Sequence, residues 1–355
     1  MKVLELFSGI GGMHYALKEC DINSTVKMAI DINTVANHVY RHNFPQTKLL
    51  SRNILSLSAE EINNLNIDMI LMSPPCQPFT RVGLKKDVAD DRSSPLLHII
   101  KVLPNLKDPF KYVLVENVKG FELSEARNRL VQAMLRIDFV FQEFILSPSQ
   151  LSIPNSRHRY YLIAKPNTLP FCFQVGSLME HLPELKSDDC ERTVGIRRVI
   201  SGLRGRICSE VSTASDTGCL ELRHFLENEL DDVHLEGFLL PDKLLSRHFP
   251  LLDLVGPRSA RSCCFTKAYG RYVEGTGSVL CPAPPPGDLL GLAGDLPRLK
   301  ALRLRYFTDR EVARLMCFPE CFGFPEDVTW KQRYRLLGNS VNVHVVALLI
   351  ALLVA

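Results

Sequence analysis

A short apolar run, Val3–Phe7, feeds directly into Ser8-Gly9-Ile10-Gly11-Gly12, and a helical pattern follows to about Cys20. A strand that enters a helix through three glycines can turn tightly and let a ligand approach its backbone, as at the first crossover of an open α/β sheet. A second strand, Val26–Ile32, carries Asp31 near its end, about 20 residues past the turn, where an acid can accept from ribose hydroxyls. The spacing departs from Gly-x-Gly-x-x-Gly, which disfavours a pyrophosphate cofactor. A nucleoside cofactor without a diphosphate, such as S-adenosyl-L-methionine, fits better; a glycine-rich connection with no ligand is the alternative.

The alternation continues. Asn33–His42 reads as a second helix, and Asp68–Met72, Tyr112–Val115, Phe139–Ser147 and Arg159–Ala164 read as strands rich in Val, Ile, Leu and aromatic residues. Strands separated by helical stretches imply a parallel α/β sheet covered on both faces. The last two runs leave no room for a full helix between them, so one of them should be an antiparallel partner. From Pro166 the pattern weakens: Cys190–Cys219 holds five arginines (Arg192, Arg197, Arg198, Arg204 and Arg206) and little periodicity, and acidic helix-like sequence follows at Glu221–Glu236. Periodicity returns at Asp309–Cys317 behind Thr308 as N-cap, and Asn342–Leu353 reads as an apolar helix. The expected organisation is a catalytic and cofactor-binding domain over 1–165, a target domain over 166–334 with a poorly readable segment at about 187–222, and a segment over 335–355 that packs back on the first domain.

Composition narrows the class. With 46% hydrophobic residues in 355 the chain is globular rather than disordered, and a net charge of +3 neither requires nor excludes nucleic acid. Eleven cysteines with no C-x-x-C pair give no metal-ligand spacing and no disulfide framework. No charged leader precedes Val3, and Val343–Ala355 falls short of the roughly 20 residues a spanning helix needs. These features point to an intracellular protein with reduced thiols, cytoplasmic and also nuclear, making no membrane contact.

Chemistry gathers at the carboxyl ends of two strands. Asp68–Met72 runs into Ser73-Pro74-Pro75-Cys76-Gln77, and Tyr112–Val115 delivers Glu116-Asn117-Val118 to the same edge, where ligands bind in open α/β sheets. Cys76 between prolines is a candidate nucleophile and Glu116 a candidate acid; alone, each would pass for a buried thiol or a surface carboxylate.

Phe7–Gly12, Pro74–Gln77, Glu116–Val118, Arg157-His158-Arg159 and Gly338-Asn339-Ser340-Val341 resemble the ordered motifs of cytosine-5 methyltransferases. Ser73–Arg81, Cys264–Tyr272 and Glu274–Ser278 are similar to the eukaryotic branch called DNA methyltransferase 2, which methylates cytosine 38 in the anticodon loop of aspartate tRNA. The resemblance implies a class I S-adenosylmethionine-dependent, Rossmann-like α/β sheet with a smaller irregular target-recognition domain. It also implies that Cys76 adds to C6, that Glu116 protonates N3, and that Arg157 and Arg159 hold the base carbonyl and a nearby phosphate. Phe7, Ile10, Gly11 and Gly12 would line the methionine end of S-adenosyl-L-methionine, and Asp31 would take the ribose. Ile32, Asn53 and Ile54 would flank the adenine, Ser73 would border the sulfonium, and Asn339 and Ser340 would close the site. The sequence departs from the family at Asn53, at Ile32, at Cys317 (usually glycine) and at Ala268 (also usually glycine).

Arg81, Lys85, Lys86 and Arg92 follow the nucleophile and are candidates for RNA phosphates. The expected activity is that of a monomeric tRNA cytosine-5 methyltransferase, with aspartate tRNA as partner. A DNA cytosine-5 methyltransferase and a non-enzymatic nucleic-acid binder are the alternatives.

Overall fold

The computed structural model describes residues 1–75, 93–185, 190–207, 218–227, 235–283 and 290–355, and the side chains of all of these except 190–192, 203–207 and 290. Its main sheet has seven strands: β1 Lys2–Leu6, β2 Thr25–Asp31, β3 Leu49–Ser51, β4 Met69–Met72, β5 Tyr112–Val118, β6 Phe139–Leu146 and β7 Arg159–Pro166. They lie in the order β3-β2-β1-β4-β5-β7-β6. The strands from β3 to β5 pair in parallel, and β7 runs antiparallel to both β5 and β6. The antiparallel partner expected from the sequence is therefore β7. In β1 and β4 nearly every side chain is buried, which is what helices on both faces of a parallel sheet impose.

Strand order reverses between β1 and β4, so their connections leave on opposite sides and open a crevice at the carboxyl edge. Because β7 is antiparallel, its first residue reaches that same edge: Arg159 pairs with Val118 at the end of β5. A parallel strand would have carried Arg159 to the far side of the sheet.

Glu5 is the polar exception in β1. It is almost completely buried, accepts a hydrogen bond from Tyr40 Oη at 2.7 Å, and Tyr40 lies 2.9 Å from His14 Nδ1. Burial pushes its carboxyl up to about 8 and the His14 imidazole down to about 3. A neutral carboxyl, a phenol and a neutral imidazole thus sit together beneath the glycine turn.

The helix Val343–Val354 is buried from Val343 through Leu353 and lies against the first helix, Gly12–Glu19. Cys20 Sγ donates to the Ala347 carbonyl at 2.9 Å, and His344 pairs with Glu19. The segment Trp330–Val354 contains an 18-residue window apolar enough to cross a membrane, but 83% of it is buried inside the fold, as for a core helix. A smaller core of Leu240, Leu245, Phe249, Val279, Leu292, Leu299 and Leu304 surrounds a second sheet, β8 Leu254–Val255 with β9 Val279–Leu280.

Three sequence expectations change. Cys190–Ile207 is a helix of 18 residues with Ile196 and Val199 buried, packed on Val343–Val354. Its glycines, Gly195, Gly202 and Gly205, and its arginines hide the short apolar stripe. Of the helix expected at Glu221–Glu236, residues 221–227 hold only a 3-10 turn, Leu222–His224, residues 228–234 lie outside the described residues, and 235–236 are helical. Return to the main core also begins well before residue 335, since Phe318 and Phe322 pack edge-on against Tyr15 of the first helix.

Candidate active site

A cavity of about 400 Å³ opens at the carboxyl edge of β1, β2, β4 and β5. Phe7, Ile10, Gly12, Asp31, Ile32, Asn53, Ile54, Ser73, Glu116, Arg157, Arg159, Asn339 and Ser340 all line it. Thirteen positions drawn from seven separate segments of sequence thus meet in one place. Gly11 is the exception among the cofactor candidates. It faces the helix behind, where an added Cβ would lie 2.5 Å from the Phe44 ring, so its role is close packing of the turn. Cys76, Arg81, Lys85, Lys86 and Arg92 lie outside the described residues; Pro74 and Pro75, just before Cys76, are on the cavity wall.

The turn itself is strained. Phe7 leaves β1 at φ 55°, a left-handed conformation that costs a non-glycine residue roughly 1–2 kcal/mol. Two hydrogen bonds hold the segment: Gly9 N–H donates to Asp31 Oδ2 at 2.8 Å, and Ser73 Oγ donates to the Phe7 carbonyl at 3.2 Å. Asn33 N–H donates to the other Asp31 oxygen at 2.8 Å. Burial nevertheless holds the Asp31 carboxyl above its ordinary value, with the backbone donors opposing. Asn53 directs its carboxamide oxygen to Leu55 N–H, capping a turn, and so meets the cavity mainly through its backbone side. Two features of this end of the cavity invite a ligand: Ser8 Oγ is buried with no partner among the described residues, and Ile32 is 67% exposed.

At the other end sits Glu116, 8% exposed, with its Oε1 3.5 Å from Arg159 Nε. Burial raises its carboxyl above the normal range, and the Arg159 and Arg157 charges offset only part of that rise. Asn117, next along β5, donates to the Pro74 carbonyl at 3.4 Å and so fastens the end of β4 to β5.

The two arginines divide their work. Arg159 faces Glu116. Arg157 is 3% exposed, and its guanidinium is held by the carbonyls of Phe265 (3.2 Å), Gly338 (3.1 Å) and Ser340. It therefore knits the start of β7 to two segments more than 100 residues away, while Nε is buried without a partner among the described residues. The sequence placed both arginines on the base carbonyl and a phosphate; both line the cavity, but the Arg157 guanidinium is taken up by main-chain carbonyls, whereas Arg159 lies against Glu116.

Sequence reasoning also gave Cys264 no part in the site. Its Sγ lies 3.4 Å from Arg157 Nη1 and 4.0 Å from Arg159 Nη2. Burial pushes this thiol up, but the two guanidiniums outweigh burial and leave it below the ordinary thiol value. A partner 107 residues from Arg157 leaves no local signal, so only the fold brings it in.

Of the two positions that replace a usual glycine, Ala268 is harmless and Cys317 is not. Ala268 does not have a positive φ, whereas Cys317 sits at φ 61°, where the missing glycine would be relaxed.

The description of C-5 cytosine-specific DNA methylases matches residues 1–208 and 272–354. The chain is 47% identical to the tRNA (cytosine(38)-C(5))-methyltransferase of Mus musculus, covering 99% of this chain and 93% of that protein. It is 46% identical to the protein of that name from Homo sapiens, covering 99% of each. Among solved structures it is similar to a mutant of Spodoptera frugiperda DNMT2, with a TM-score of 0.81, 41% identity and 99% of both chains covered.

Proposed function

This chain belongs to the C-5 cytosine-specific DNA methylase family, and on that premise we propose that it methylates C5 of a cytosine in tRNA, the anticodon-loop cytosine 38 above all. The family implies S-adenosyl-L-methionine, and the residues present fit it: an unpartnered Ser8 hydroxyl, the Asp31 carboxylate and the exposed Ile32 face share one end of the cavity. Asp31 would take the ribose through lone pairs its two backbone donors leave free, and Ile32 and Ile54 would cover the adenine. The cofactor supplies a methyl group on a cationic sulfur. Aspartate tRNA is the partner this reading favours, and cytoplasm and nucleus the compartments.

The chain's own residues account for the rest. C5 of cytosine is a poor nucleophile until a thiolate adds at C6, and Cys76 is the residue in sequence position to do so. As charge develops on the ring, N3 needs a proton. Glu116 can provide it, because burial raises its carboxyl and so strengthens its hold on a proton relative to a surface glutamate. Arg159, beside it, keeps the carboxyl oriented and offers its remaining donors to the base carbonyl. Arg157 acts through position, fixing Ser340 and Phe265 around the pocket.

The observation that carries this reading is the raised Glu116 carboxyl in a cavity lined by Pro74 and Pro75, the residues that precede Cys76 in the sequence. Its test is methyl transfer from labelled cofactor to total tRNA and to genomic DNA, with wild type and Cys76→Ala. Label in tRNA that disappears in the variant is expected. Label in DNA alone would overturn the tRNA assignment, and label persisting in Cys76→Ala would overturn the thiolate.

A further inference from the structure

Behind Cys264 the chain turns, with Tyr269 N–H donating to the Thr266 carbonyl and Tyr272 N–H to the Ala268 carbonyl. Tyr272 there is 59% exposed, and Arg271 lies 5.3 Å from its ring centroid. Trp330 opens the helix Trp330–Gly338 and is 46% exposed, with Lys331 Nζ 5.3 Å from its ring. The two aromatics belong to one surface. The indole covers Gly270, where an added Cβ would be 3.0 Å from its edge, and stands edge-on to the buried Tyr334 at 5.9 Å. One edge of the indole is thus anchored while the remainder faces solvent.

Cations frame this pair. Lys267, Arg271, Lys331 and Arg335 are exposed, and none is paired with a carboxylate among the described residues. Arg333, by contrast, is held by Asp309 and the Val328 carbonyl. Trp330–Gly338 contains no acid, and the turn contributes only Glu274. The surface also leads to the active site. Gly338 lines the cavity and presses on Thr266 and Lys267, and its helix of nine residues places Trp330 about 12 Å away along the axis.

An exposed indole and phenol edged with free cations suit an unpaired nucleic-acid strand better than a protein partner: every base has a face to stack, and the cations meet the phosphates. We propose that Tyr272 and Trp330, flanked by Lys267, Arg271, Lys331 and Arg335, form a stacking platform for an unpaired base of the RNA whose neighbouring cytosine enters the cavity. The proposal rests on the tRNA reading above and adds a second contact to it. It also supplies a reason for a loop substrate, since a base inside a helix has no free face to offer.

Trp330 is the chain's single tryptophan, so its fluorescence reads the platform directly. The full-length protein is titrated with a stem-loop RNA carrying an unpaired seven-base loop around the target cytosine, and RNA affinity is measured separately from a label on the RNA. Saturable quenching of Trp330, with protection from iodide, is expected at the same RNA concentrations that saturate binding. Trp330→Ala and Tyr272→Ala should each weaken RNA binding about tenfold, the scale of one lost base stack, with unchanged cofactor affinity. Trp330→Phe should recover most of the loss. RNA that binds and is methylated while Trp330 emission stays constant, and while Trp330→Ala binds as wild type, would overturn the platform and leave the tRNA reading intact. Equal quenching by a fully paired duplex would overturn the unpaired base as its occupant. RNA neither bound nor methylated would overturn both readings. The wild-type titration holds even if a variant folds poorly.

Discussion

Gly338→Ala tests how tightly the catalytic and target segments are joined. The new Cβ would lie 2.2 Å from Lys267 N and from the Thr266 carbonyl carbon, and 2.6 Å from the Thr266 oxygen. Ordinary carbon contacts begin near 3.5 Å, so the two main chains must part by more than 1 Å. Overpacking costs about 1–3 kcal/mol where side chains can shift, and here both neighbours are backbone, which puts the cost at the top of that range or above. The same movement pulls the Gly338 carbonyl from Arg157, a charged hydrogen bond that contributes about 1.5–3 kcal/mol. Against this, alanine is the better helix former by about 1 kcal/mol. The net expectation is a loss of about 4 kcal/mol, or roughly 8–15 °C in melting temperature. Gly202→Ala serves as control: it lies inside the helix Cys190–Ile207 with nothing within 4 Å of the added carbon, and should raise stability by up to about 1 kcal/mol. Thermal and urea unfolding of both proteins measure the pair. A Gly338→Ala protein that melts within about 1 °C of wild type would refute the close approach and the reasoning built on it.

Three more perturbations probe other parts of the structure. Glu5 carries a folded-state pKa raised to about 8, so its neutral form stabilises fully below about pH 4.5 and that contribution is lost as pH rises through 8; Glu5→Gln should flatten the urea midpoint between pH 5 and 9 and be the more stable protein at pH 9, whereas parallel curves would sink the assignment. Glu311 is fully buried and holds Arg305 with two bonds of 2.7 Å, so Glu311→Ala should cost about 3–5 kcal/mol by stranding a buried guanidinium, and a loss under 1 kcal/mol in urea unfolding would show that water reaches the pair. Asp31→Asn should weaken S-adenosyl-L-methionine about 10- to 100-fold in calorimetry with little change in RNA affinity; equal cofactor binding would remove Asp31 from the ribose.

Much of the sheet and the cofactor end of the site were legible in sequence because their signals are local. Buried parallel strands write continuous apolar runs such as Met69–Met72, and the glycine turn, Asp31 and Ser73 each sit at the end of one. Features set by distant pairing were not legible. The division of labour between Arg157 and Arg159 depends on carbonyls of Phe265, Gly338 and Ser340, and the depressed Cys264 thiol depends on both arginines. Helix Cys190–Ile207 was missed for another reason: three interior glycines lower its propensity, and packing on Val343–Val354 is what holds it. At Cys317 the sequence raised a question that the backbone answers, since its left-handed φ shows which glycine the family needs.

The contact between the helices Gly12–Glu19 and Val343–Val354 also sets an order of events in the cell. Glu19 meets His344 across 325 residues of chain. A ribosome adding about 5–20 residues per second would take roughly 20–60 s to cover that distance. Throughout that interval the first helix, and the cofactor turn it anchors, would have no apolar cover on the face that the later helix will occupy. The nascent protein would emerge with its earliest segment still waiting for one of its latest, a natural client for chaperones that shield apolar surface until synthesis catches up.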